Sequence, residues 1–500
     1  MKQLSGLDAS FLNLETRTTV GHVAGLSIYE RPNDDFEPYA AVYERVGSMI
    51  GHVPPLRRRL VEVPFKLDHP WWIDDPHFDL DYHIRHLGLA PPGAADQLAN
   101  QVARISSRHL DRSRPLWELY VIEGLGDGRW ATLWKTHHAT IDGASGVILM
   151  NMLTDTTPEG EPIESLEWTP DEEPTEMEML SHTIKSLAMS PLKAARLQVK
   201  LARILASKSG ISAVTDQLAD LQDRLRSASG EKDHPRPADR VSLPLTPAPP
   251  TPWNEPISAA RRFAMRSTSL ENLKRLKTAV DGSVNDVVMA ICAGALRSYL
   301  IKHDSLPEGP LRAMVPVSIR TGDEADPWTN RVSSIVCDLP THLDDPLERF
   351  SACQVAMANA KHQLDLVPAD TLIDIAQTAS PVVATAATRL VSRLAGRVNL
   401  PVNVVISNVP GPRVPLYLEG ARLDNYIPVS MVTDGVGLNI TVHSYLDRLD
   451  FGLISDRELI PDLWDLVDMH VDEIEVLFEA TGAEWAEPPG EPALRIGEDG

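Results

Sequence analysis

Cysteine is scarce in this sequence. The 500 residues include three cysteines, Cys292, Cys337 and Cys353, and these form no Cys-x-x-Cys pair. Because they are few, odd in number and widely spaced, they predict neither a disulfide framework nor a cysteine-based zinc site. We therefore expect a protein of a reducing compartment.

Positive charge and long apolar runs are also lacking. Lysine and arginine total 47 against 70 aspartates and glutamates, so the formal net charge is -23. Such a surface repels nucleic acid, and we expect no nucleic-acid partner. The first residues, MKQLSGLDAS, contain no apolar segment of a secretory signal. No strongly apolar, uncharged stretch reaches the roughly 18 residues of a membrane-spanning helix. We expect a soluble protein, or one bound peripherally to a membrane.

Two domains are the default expectation for a chain of this length. The hydrophobic pattern alternates between strand and helix periods, which predicts an α/β protein. Helices are predicted at residues 96–110 and 283–300. Strands are predicted at residues 21–30, 129–138, 311–320, 330–339, 402–409 and 437–446.

The middle of the chain changes composition abruptly. Residues 159–178 hold nine acidic and no basic residues, which predicts a solvated loop. Residues 190–210 hold five basic and no acidic residues and have an amphipathic period. This helix either packs on its own protein or lies on a lipid surface, and the apolar segment 381–396 is a second candidate for lipid contact. The Pro-rich segment 231–256 predicts a semi-extended crossover between the domains.

The segment KTHHATIDGASG, residues 135–146, carries the clearest functional signal. His137 and His138 follow a predicted strand, and Asp142 directly precedes a helix-length apolar segment that begins at Gly143. Connections from strand to helix commonly carry reacting groups in α/β proteins. A zinc site is disfavoured, because zinc needs at least three ligands and adjacent strand residues point to opposite faces.

Packing and catalysis both stay open on these residues alone. A buried histidine can be satisfied by the backbone, and Asp142 can cap the following helix. Alternatively, the neutral imidazole of His138 takes a proton from a hydroxyl group, while Asp142 holds the loop geometry. The small residues Gly143, Ala144 and Gly146 would then let a substrate approach closely.

His137, His138, Asp142 and Gly143 match the HHxxxDG signature, and the chain resembles the bacterial wax ester synthase/diacylglycerol acyltransferases of the CoA-dependent acyltransferase superfamily. Within that family it is similar to actinobacterial triacylglycerol synthases. Five further blocks of the family are present and occur in the family's order along the chain, namely LSGLDASFL (4–12), RPLWELYVIEGL (114–125), VNDVV (284–288), MVPVSIR (314–320) and SNVPGP (407–412). The resemblance implies an α/β fold of two chloramphenicol-acetyltransferase-like domains, each a mixed sheet with helices, joined by a long helical and Pro-rich crossover.

We accordingly divide the chain into four parts. An N-terminal acyltransferase domain is expected at residues 1–155, and a connecting region with the acidic loop, basic helix and Pro-rich linker at residues 156–256. A C-terminal acyltransferase-like domain is expected at residues 257–480, followed by a flexible tail at residues 481–500.

The resemblance also implies an activity. A long-chain acyl group would pass from acyl-CoA, as co-substrate, to diacylglycerol and form triacylglycerol, with no metal and no other cofactor. His138 would be the general base in a channel between the domains, with His137 supporting it and Asp142 in a structural role. The alternatives are wax ester synthesis with long-chain fatty alcohols, or a weakly active lipid-droplet-associated protein. The protein is expected in the cytoplasm, peripherally bound to the inner membrane face or to lipid droplets.

Four further residues are predicted to contact the substrate, besides Gly143 of the signature. They are Asn285, Asp286, Ser407 and Asn408. Asp286 also fits a capping box with Ser283, and from the residues alone capping is the favoured interpretation. Ser407 and Asn408 are candidate donors to the oxyanion of the reaction.

Two remaining expectations concern local geometry. The segment NVPGP fits a type II turn, with Pro410 and Gly411 at its centre. A buried Asp142 would need a cationic partner, for which Arg320 and Arg331 are candidates.

Overall fold

Two six-stranded sheets form the centre of the protein in a computed structural model, which describes residues 1–141, 143–185, 246–319, 328, 330–366 and 400–486. The predictions for Asp142, Arg320, residues 190–210 and residues 381–396 concern parts of the chain outside these ranges. Most of the predicted crossover at 231–256 and of the tail at 481–500 also lies outside them.

The first sheet is mixed and contains the histidine strand near its centre. Its strands in spatial order are Tyr417–Leu418 (β12), Ala421–Val429 (β13), His22–Tyr29 (β2), Trp130–His137 (β7), Trp117–Glu123 (β6) and Ile84–Gly88 (β5). Strands β5 and β6 are parallel, and the other neighbours are antiparallel. Its main helices are Pro38–Met49 (α2), Ala95–Ser106 (α5) and Gly143–Leu153 (α6). Helix α5 packs an apolar face that includes Leu98, Val102 and Ile105 into a core cluster shared by this sheet and by Phe263 and Met265 of the second sheet.

The second sheet is also mixed. Its strands in spatial order are Val332–Leu339 (β10), Leu311–Ser318 (β9), Val404–Pro410 (β11), Leu438–Tyr445 (β14), Arg448–Asp456 (β15) and Arg261–Ser269 (β8). Strand β11 runs parallel to β9 and β14, and the other neighbours are antiparallel. Its helices are Leu270–Ala279 (α7), Val284–Lys302 (α8), Pro346–Leu366 (α9) and Leu463–Thr481 (α10). Two mixed sheets with helices confirm the predicted α/β class.

The N-terminal half of the chain also contains smaller elements. They comprise the sheet of Lys2–Gln3 (β1), Trp71–Asp74 (β4) and Arg58–Val61 (β3), the helices Gly6–Leu14 (α1), Pro54–Arg57 (α3) and Leu80–His83 (α4), the 3-10 helices Ile50–His52 and Pro64–Lys66, and a helical segment at 176–185. Ser5 caps α1 by accepting a hydrogen bond from the N–H of Asp8.

Helix α8 is the core helix of the second half. It is long and apolar enough to cross a membrane by length and composition, and it alone passes that test among the residues described. Within the protein, however, 72% of its apolar window is buried. Val288, Ile291 and Leu296 belong to the core shared with the second sheet, where each such side chain contributes about 1.5–3 kcal/mol of burial free energy.

Strand β13 belongs to the first sheet although its residues lie in the C-terminal half of the chain. It pairs with β2 in a register that places Leu423 opposite Tyr29 and Val429 opposite Ala24. The division at 1–155 and 257–480 stays a prediction, and it did not anticipate this strand exchange. A strand pattern specifies which face is buried, but it does not name the neighbouring strand.

A buried polar cluster joins β13 to the second sheet. The side-chain amide of Asn425 donates to Asp450 (3.0 Å) and to the hydroxyl of Ser267 (3.1 Å), while the backbone N–H of Tyr426 donates to the other oxygen of Asp450 (3.1 Å). Burial raises the pKa of Asp450 to about 6, against hydrogen bonds that lower it.

The acidic segment 159–178 is irregular over most of its length and largely exposed, as its composition predicts. It is nevertheless tied to the first half through its backbone and side chains. Arg45 donates to the carbonyl of Glu161 (3.0 Å), and the side chains of Arg59 and Glu173 pair at 2.7 Å. The segment is therefore a strap along the surface rather than a freely solvated loop.

Candidate active site

His137 and His138 lie where β7 ends, in the strand-to-helix connection that the sequence predicts. β7 ends at His137, and α6 begins at Gly143. The backbone N–H of His138 donates to the carbonyl of Gly21 (2.8 Å), and the N–H of Thr140 donates to the carbonyl of His137 (2.9 Å). These bonds fold the chain back directly after the strand and hold the connection against the start of β2.

The imidazole of His137 is buried, with 1% of the side chain exposed. Its Nδ1 accepts a hydrogen bond from the N–H of Ala139 (3.0 Å), so the ring proton belongs on Nε2, which lies 3.4 Å from Glu15 Oε1. Burial lowers the pKa of His137 below its ordinary value, which favours the neutral ring. A side chain at Gly21 would place its Cβ 2.5 Å from this Nε2, so the ring requires glycine there.

Glu15, at the end of α1, collects the donors around His137. Its carboxylate accepts from the N–H of Gly21 (3.0 Å) and from Nε (3.1 Å) and Nη2 (2.7 Å) of Arg112. Burial alone would raise its pKa, but the His137 ring beside it and the charge and hydrogen bonds of Arg112 hold the pKa of Glu15 below its ordinary value. A charged carboxylate therefore anchors the neutral ring of His137, which suits the supporting role predicted for it.

The imidazole of His138 is half-buried, unlike that of His137. Phe11 of α1 stacks on it, with ring centroids 4.3 Å apart and an interplanar angle of 6°. The carbonyl of His138 accepts a hydrogen bond from Nδ2 of Asn330 (2.6 Å). Since both the ring plane and the adjacent backbone are fixed, the accessible imidazole points in a defined direction.

A small cavity, open to solvent, lies beside this connection. It is lined by Ala139 and Thr140 directly after His138, by Asp8 of α1, by Trp72 of β4 and by Trp328 from the second half. The wall thus combines both halves of the chain. A substrate channel that reaches His138 from two sides stays a prediction.

The second predicted motif begins α8. The carboxylate of Asp286 accepts from the backbone N–H (2.9 Å) and the hydroxyl (2.7 Å) of Ser283, and the Ser283 hydroxyl accepts from the N–H of Asp286 (3.2 Å). This capping box confirms the favoured interpretation of Asp286. Its role in substrate binding stays a prediction.

The structure brings together two of the predicted substrate contacts. The side-chain amide of Asn408 on β11 donates to the side-chain oxygen of Asn285 on α8 (3.3 Å). Ser407 precedes Asn408 on the same strand and is half-buried. The blocks VNDVV and SNVPGP are therefore in contact through their asparagine side chains.

The type II turn predicted at NVPGP is wrong. Such a turn needs a positive φ at Gly411, and this residue is not among those with positive φ. Glycine is required here for another reason, because a Cβ would lie 2.2 Å from Cε1 of His443 and 2.2 Å from the carbonyl oxygen of Ser444. The N–H of Gly411 also donates to the hydroxyl of Ser444 (3.2 Å).

Three residues that contact the histidine pair were not foreseen from the sequence, namely Phe11, Glu15 and Asn330. One signal was available for the first two. Asp8, Phe11 and Glu15 are spaced three and four residues apart, which places them on one face of a helix. No local pattern marks Asn330, because its contacts lie in the other half of the chain.

Within the described ranges, no group of three or more His, Cys, Asp or Glu side chains is placed to hold a metal ion. A reaction without metal stays a prediction. The proposed pairing of Asp142 with Arg320 lies outside the described residues. Arg331 is described, but its pairing with Asp142 stays a prediction because Asp142 is not.

The architecture has counterparts among solved structures. The first condensation domain of the calcium-dependent antibiotic synthetase matches it with a TM-score of 0.53 at 15% identity, over 98% of each chain. Likeness at this identity shows a shared fold and no more. The fold therefore defines the class, which is that of the two-domain, chloramphenicol-acetyltransferase-like proteins.

Sequence comparison defines the group within that class. The model of the wax ester synthase/diacylglycerol acyltransferase catalytic domain matches residues 4–288, and the C-terminal domain model of the same family matches residues 328–477. A probable diacylglycerol O-acyltransferase of Mycobacterium tuberculosis is 35% identical, over 95% of this chain and 98% of that protein. The O-acyltransferase WSD of Acinetobacter baylyi is also 35% identical, over 96% and 97%.

One solved structure agrees with this result. The wax ester synthase/diacylglycerol acyltransferase from Marinobacter aquaeolei VT8 has a TM-score of 0.68 and 29% identity, and the match covers 96% of this chain and 100% of that one. The chain belongs to the wax ester synthase/diacylglycerol acyltransferase family, which confirms the resemblance found in its motifs.

Proposed function

We propose that the protein is an O-acyltransferase that moves a long-chain acyl group from acyl-CoA to the hydroxyl of diacylglycerol, giving triacylglycerol and CoA. Relatives named as diacylglycerol O-acyltransferases and as the O-acyltransferase WSD support the enzyme class. The observation that carries the proposal is the half-buried imidazole of His138, which stacks on Phe11 and directly precedes Ala139 and Thr140 in the wall of a cavity lined by both halves.

His138 acts as the general base of this reaction. Its neutral imidazole takes the proton of the acceptor hydroxyl as the oxygen attacks the thioester carbonyl, and a tetrahedral oxyanion forms. The oxyanion then collapses, the carbon–sulfur bond breaks, and the imidazolium returns the proton to the CoA thiolate. One N–H of the Asn408 amide is engaged by Asn285. The other is our first candidate as oxyanion donor, with Ser407 as the second.

A covalent acyl-cysteine plays no part in this scheme. Cys292, Cys337 and Cys353 are all buried, and burial raises the pKa of each thiol, to about 12 for Cys337. Since the thiolate is the nucleophile, a thiol with so high a pKa is inert at neutral pH. Direct transfer from CoA to the acceptor needs no such intermediate.

The test is the turnover of purified protein offered radiolabelled oleoyl-CoA with dioleoylglycerol and hexadecanol together, with the products separated by thin-layer chromatography. A predominance of triacylglycerol supports the proposal, whereas a predominance of wax ester establishes the alternative acceptor. The variant His138→Ala should lose about 10²–10⁴-fold in kcat, as expected for a general base. The exposed His77, replaced by alanine, is the matched control. Undiminished turnover of folded His138→Ala would remove the base assignment.

The acceptor is insoluble in water, so the same proposal places the protein peripherally on a lipid surface, either the cytoplasmic membrane face or a lipid droplet. The connection between β3 and β4 offers an apolar tip for that contact. Phe65 is 87% exposed and Leu67 is 42% exposed. The strands that carry this tip also supply Arg58 and Trp72 to the cavity beside Thr140, so the tip and the cavity belong to one hairpin.

Lipid flotation tests this placement. Burying one phenylalanine side chain contributes about 1.5–3 kcal/mol, or roughly tenfold to 100-fold in partitioning. The variant Phe65→Glu should therefore float at least tenfold less with vesicles of phosphatidylcholine and dioleoylglycerol. Val355→Glu on α9, where the side chain is also well exposed, is the matched control. Equal flotation of both variants and the wild type would discard this tip as the contact.

A further inference from the structure

Asn330 lies where the two halves of the chain meet at the histidine connection. It lies two residues before the start of β10 in the second half, and 3% of the residue is exposed. Its Nδ2 donates to Oδ1 of Asp8 (2.6 Å) and to the main-chain carbonyl of His138 (2.6 Å). Both neighbours are acceptors, so the nitrogen of the amide has to face them.

Asp8 holds Asn330 in this orientation. Its carboxylate is buried, and its other oxygen accepts from the hydroxyl of Ser5 (2.7 Å). A hydrogen bond from an amide to a carboxylate is stronger than one between neutral groups when the carboxylate is charged. Burial raises the pKa of Asp8 above its ordinary value, and the hydrogen bonds from Ser5 and Asn330 oppose that rise. The amide of Asn330 thus has one firm anchor on α1.

The same helix controls the ring of His138. Phe11, less than one turn beyond Asp8, stacks on the imidazole. Helix α1 therefore fixes the ring plane directly and fixes the backbone of His138 through Asn330. The segment that carries Asn330 also contributes Trp328 to the cavity that Asp8, Ala139 and Thr140 line. The two hydrogen bonds of one amide consequently connect α1, the histidine connection and the second half.

We propose that Asn330 is a positioning residue, which holds the backbone of His138, and with it the imidazole, in its productive orientation through its two donated hydrogen bonds. This inference rests on the proposed function of His138 as a general base. The physical reason is geometric, because a displacement of about 1 Å from productive geometry can cost a hundredfold in rate. Loss of the donor should therefore lower kcat more than it changes the KM for acyl-CoA.

An exchange of the two side chains separates positioning from simple stabilisation. Asn330→Asp is nearly isosteric but has no N–H, and it places two carboxylates side by side. It should lower kcat by tenfold to 100-fold and also lower Tm. The double variant Asp8→Asn/Asn330→Asp restores a donor and an acceptor between the two positions, so Tm should recover. Position 330 still has no N–H for the carbonyl of His138, so kcat should stay low.

Native-state hydrogen exchange provides a readout that does not depend on activity. The amides of residues 138–141 should exchange at least tenfold faster in Asn330→Asp and in the double variant than in the wild type. Asn100→Asp, an exposed site on α5, is the matched control and should change neither property. Recovery of kcat together with Tm in the double variant, or unchanged exchange at residues 138–141, would overturn the positioning role. If the wild type itself consumes no acyl-CoA, the proposed function fails, while the exchange result still decides whether Asn330 holds this backbone.

Discussion

Replacing Glu15 with glutamine removes the one charge that holds the donors around His137 together. The side chain is 8% exposed and accepts three N–H groups within 3.1 Å, one from Gly21 and two from Arg112. Hydrogen bonds to a charged group contribute about 1.5–3 kcal/mol each. Glutamine keeps one oxygen but turns an NH₂ group towards donors. Because the Arg112 side chain is 37% exposed, we expect the free energy of unfolding at neutral pH to fall by about 1.5–3 kcal/mol, the contribution of one hydrogen bond to a charged group.

The activity should fall with it. Nε2 of His137 loses the carboxylate that lies 3.4 Å from it, and the ring that packs on Gly21 is free to turn. Because His138 follows directly in the chain, a shift of its backbone reduces the fraction of productive geometries. We expect a loss of about tenfold or more in kcat, measured as acyl-CoA consumption. Glu44→Gln, at an exposed position of α2, is the matched control.

The pH dependence decides whether the reasoning is right. The folded pKa of Glu15 lies below its ordinary value of 4.5, so its contribution to stability is complete above that pH. As the pH falls further, towards the folded pKa, this contribution is lost. Urea unfolding should therefore show a difference between wild type and Glu15→Gln that is largest at pH 7 and shrinks at pH 4. An equal midpoint at pH 7, or a difference that grows on acidification, would refute this account.

Three further outcomes follow from single residues. Burial raises the pKa of Asp450 from 3.8 to about 6. Between pH 4 and pH 7 the wild type should therefore lose about 2–3 kcal/mol of stability relative to Asp450→Asn. A difference in unfolding free energy between the two proteins that stays constant over that range would contradict this expectation. Gly411→Ala places a Cβ against the ring of His443 and the carbonyl of Ser444, and it should lower the free energy of unfolding by about 1–3 kcal/mol in thermal denaturation. Gly309→Ala is the matched control, because its Cβ meets no atom within 4 Å and its unfolding free energy should hardly change. Phe11→Leu removes the stack on His138, which contributes about 0.5–1.5 kcal/mol. It should lower kcat clearly while changing Tm little. A large fall in Tm with little change in kcat would argue against an orienting role.

The elements of the site were predictable because their signals are local. The apolar run of β7 and the apolar segment of α6 lie on either side of the histidines in the sequence, so the connection between them could be placed without a structure. The capping box of Asp286 is equally local, since its partner is three residues away. Local periodicity also placed six of the twelve strands that the structure describes in the two large sheets, namely β2, β7, β9, β10, β11 and β14.

The contacts that orient the histidines were not predictable, because they join distant positions. Arg112 reaches Glu15 across 97 residues, and Asn330 reaches Asp8 across 322 residues. Nothing in the neighbourhood of Asn330 distinguishes it from any other polar residue before a strand. The turn assigned to Gly411 failed for a related reason. Two prolines around a glycine fit a turn, but the close approach of His443 comes from a different strand.

The placement of β13 has a consequence for biosynthesis. The edge of β2 that faces away from β7 is covered only when Leu423 comes to lie beside Tyr29. About 390 residues separate Tyr29 from Leu423, and synthesis adds about 5–20 residues per second. This edge therefore stays unpaired for roughly 20–80 s while the chain is still on the ribosome. An uncovered strand edge is a template for pairing with other chains. Nascent chains of this protein are thus exposed to aggregation until their last quarter emerges, and a fragment ending in the crossover would carry that exposure permanently.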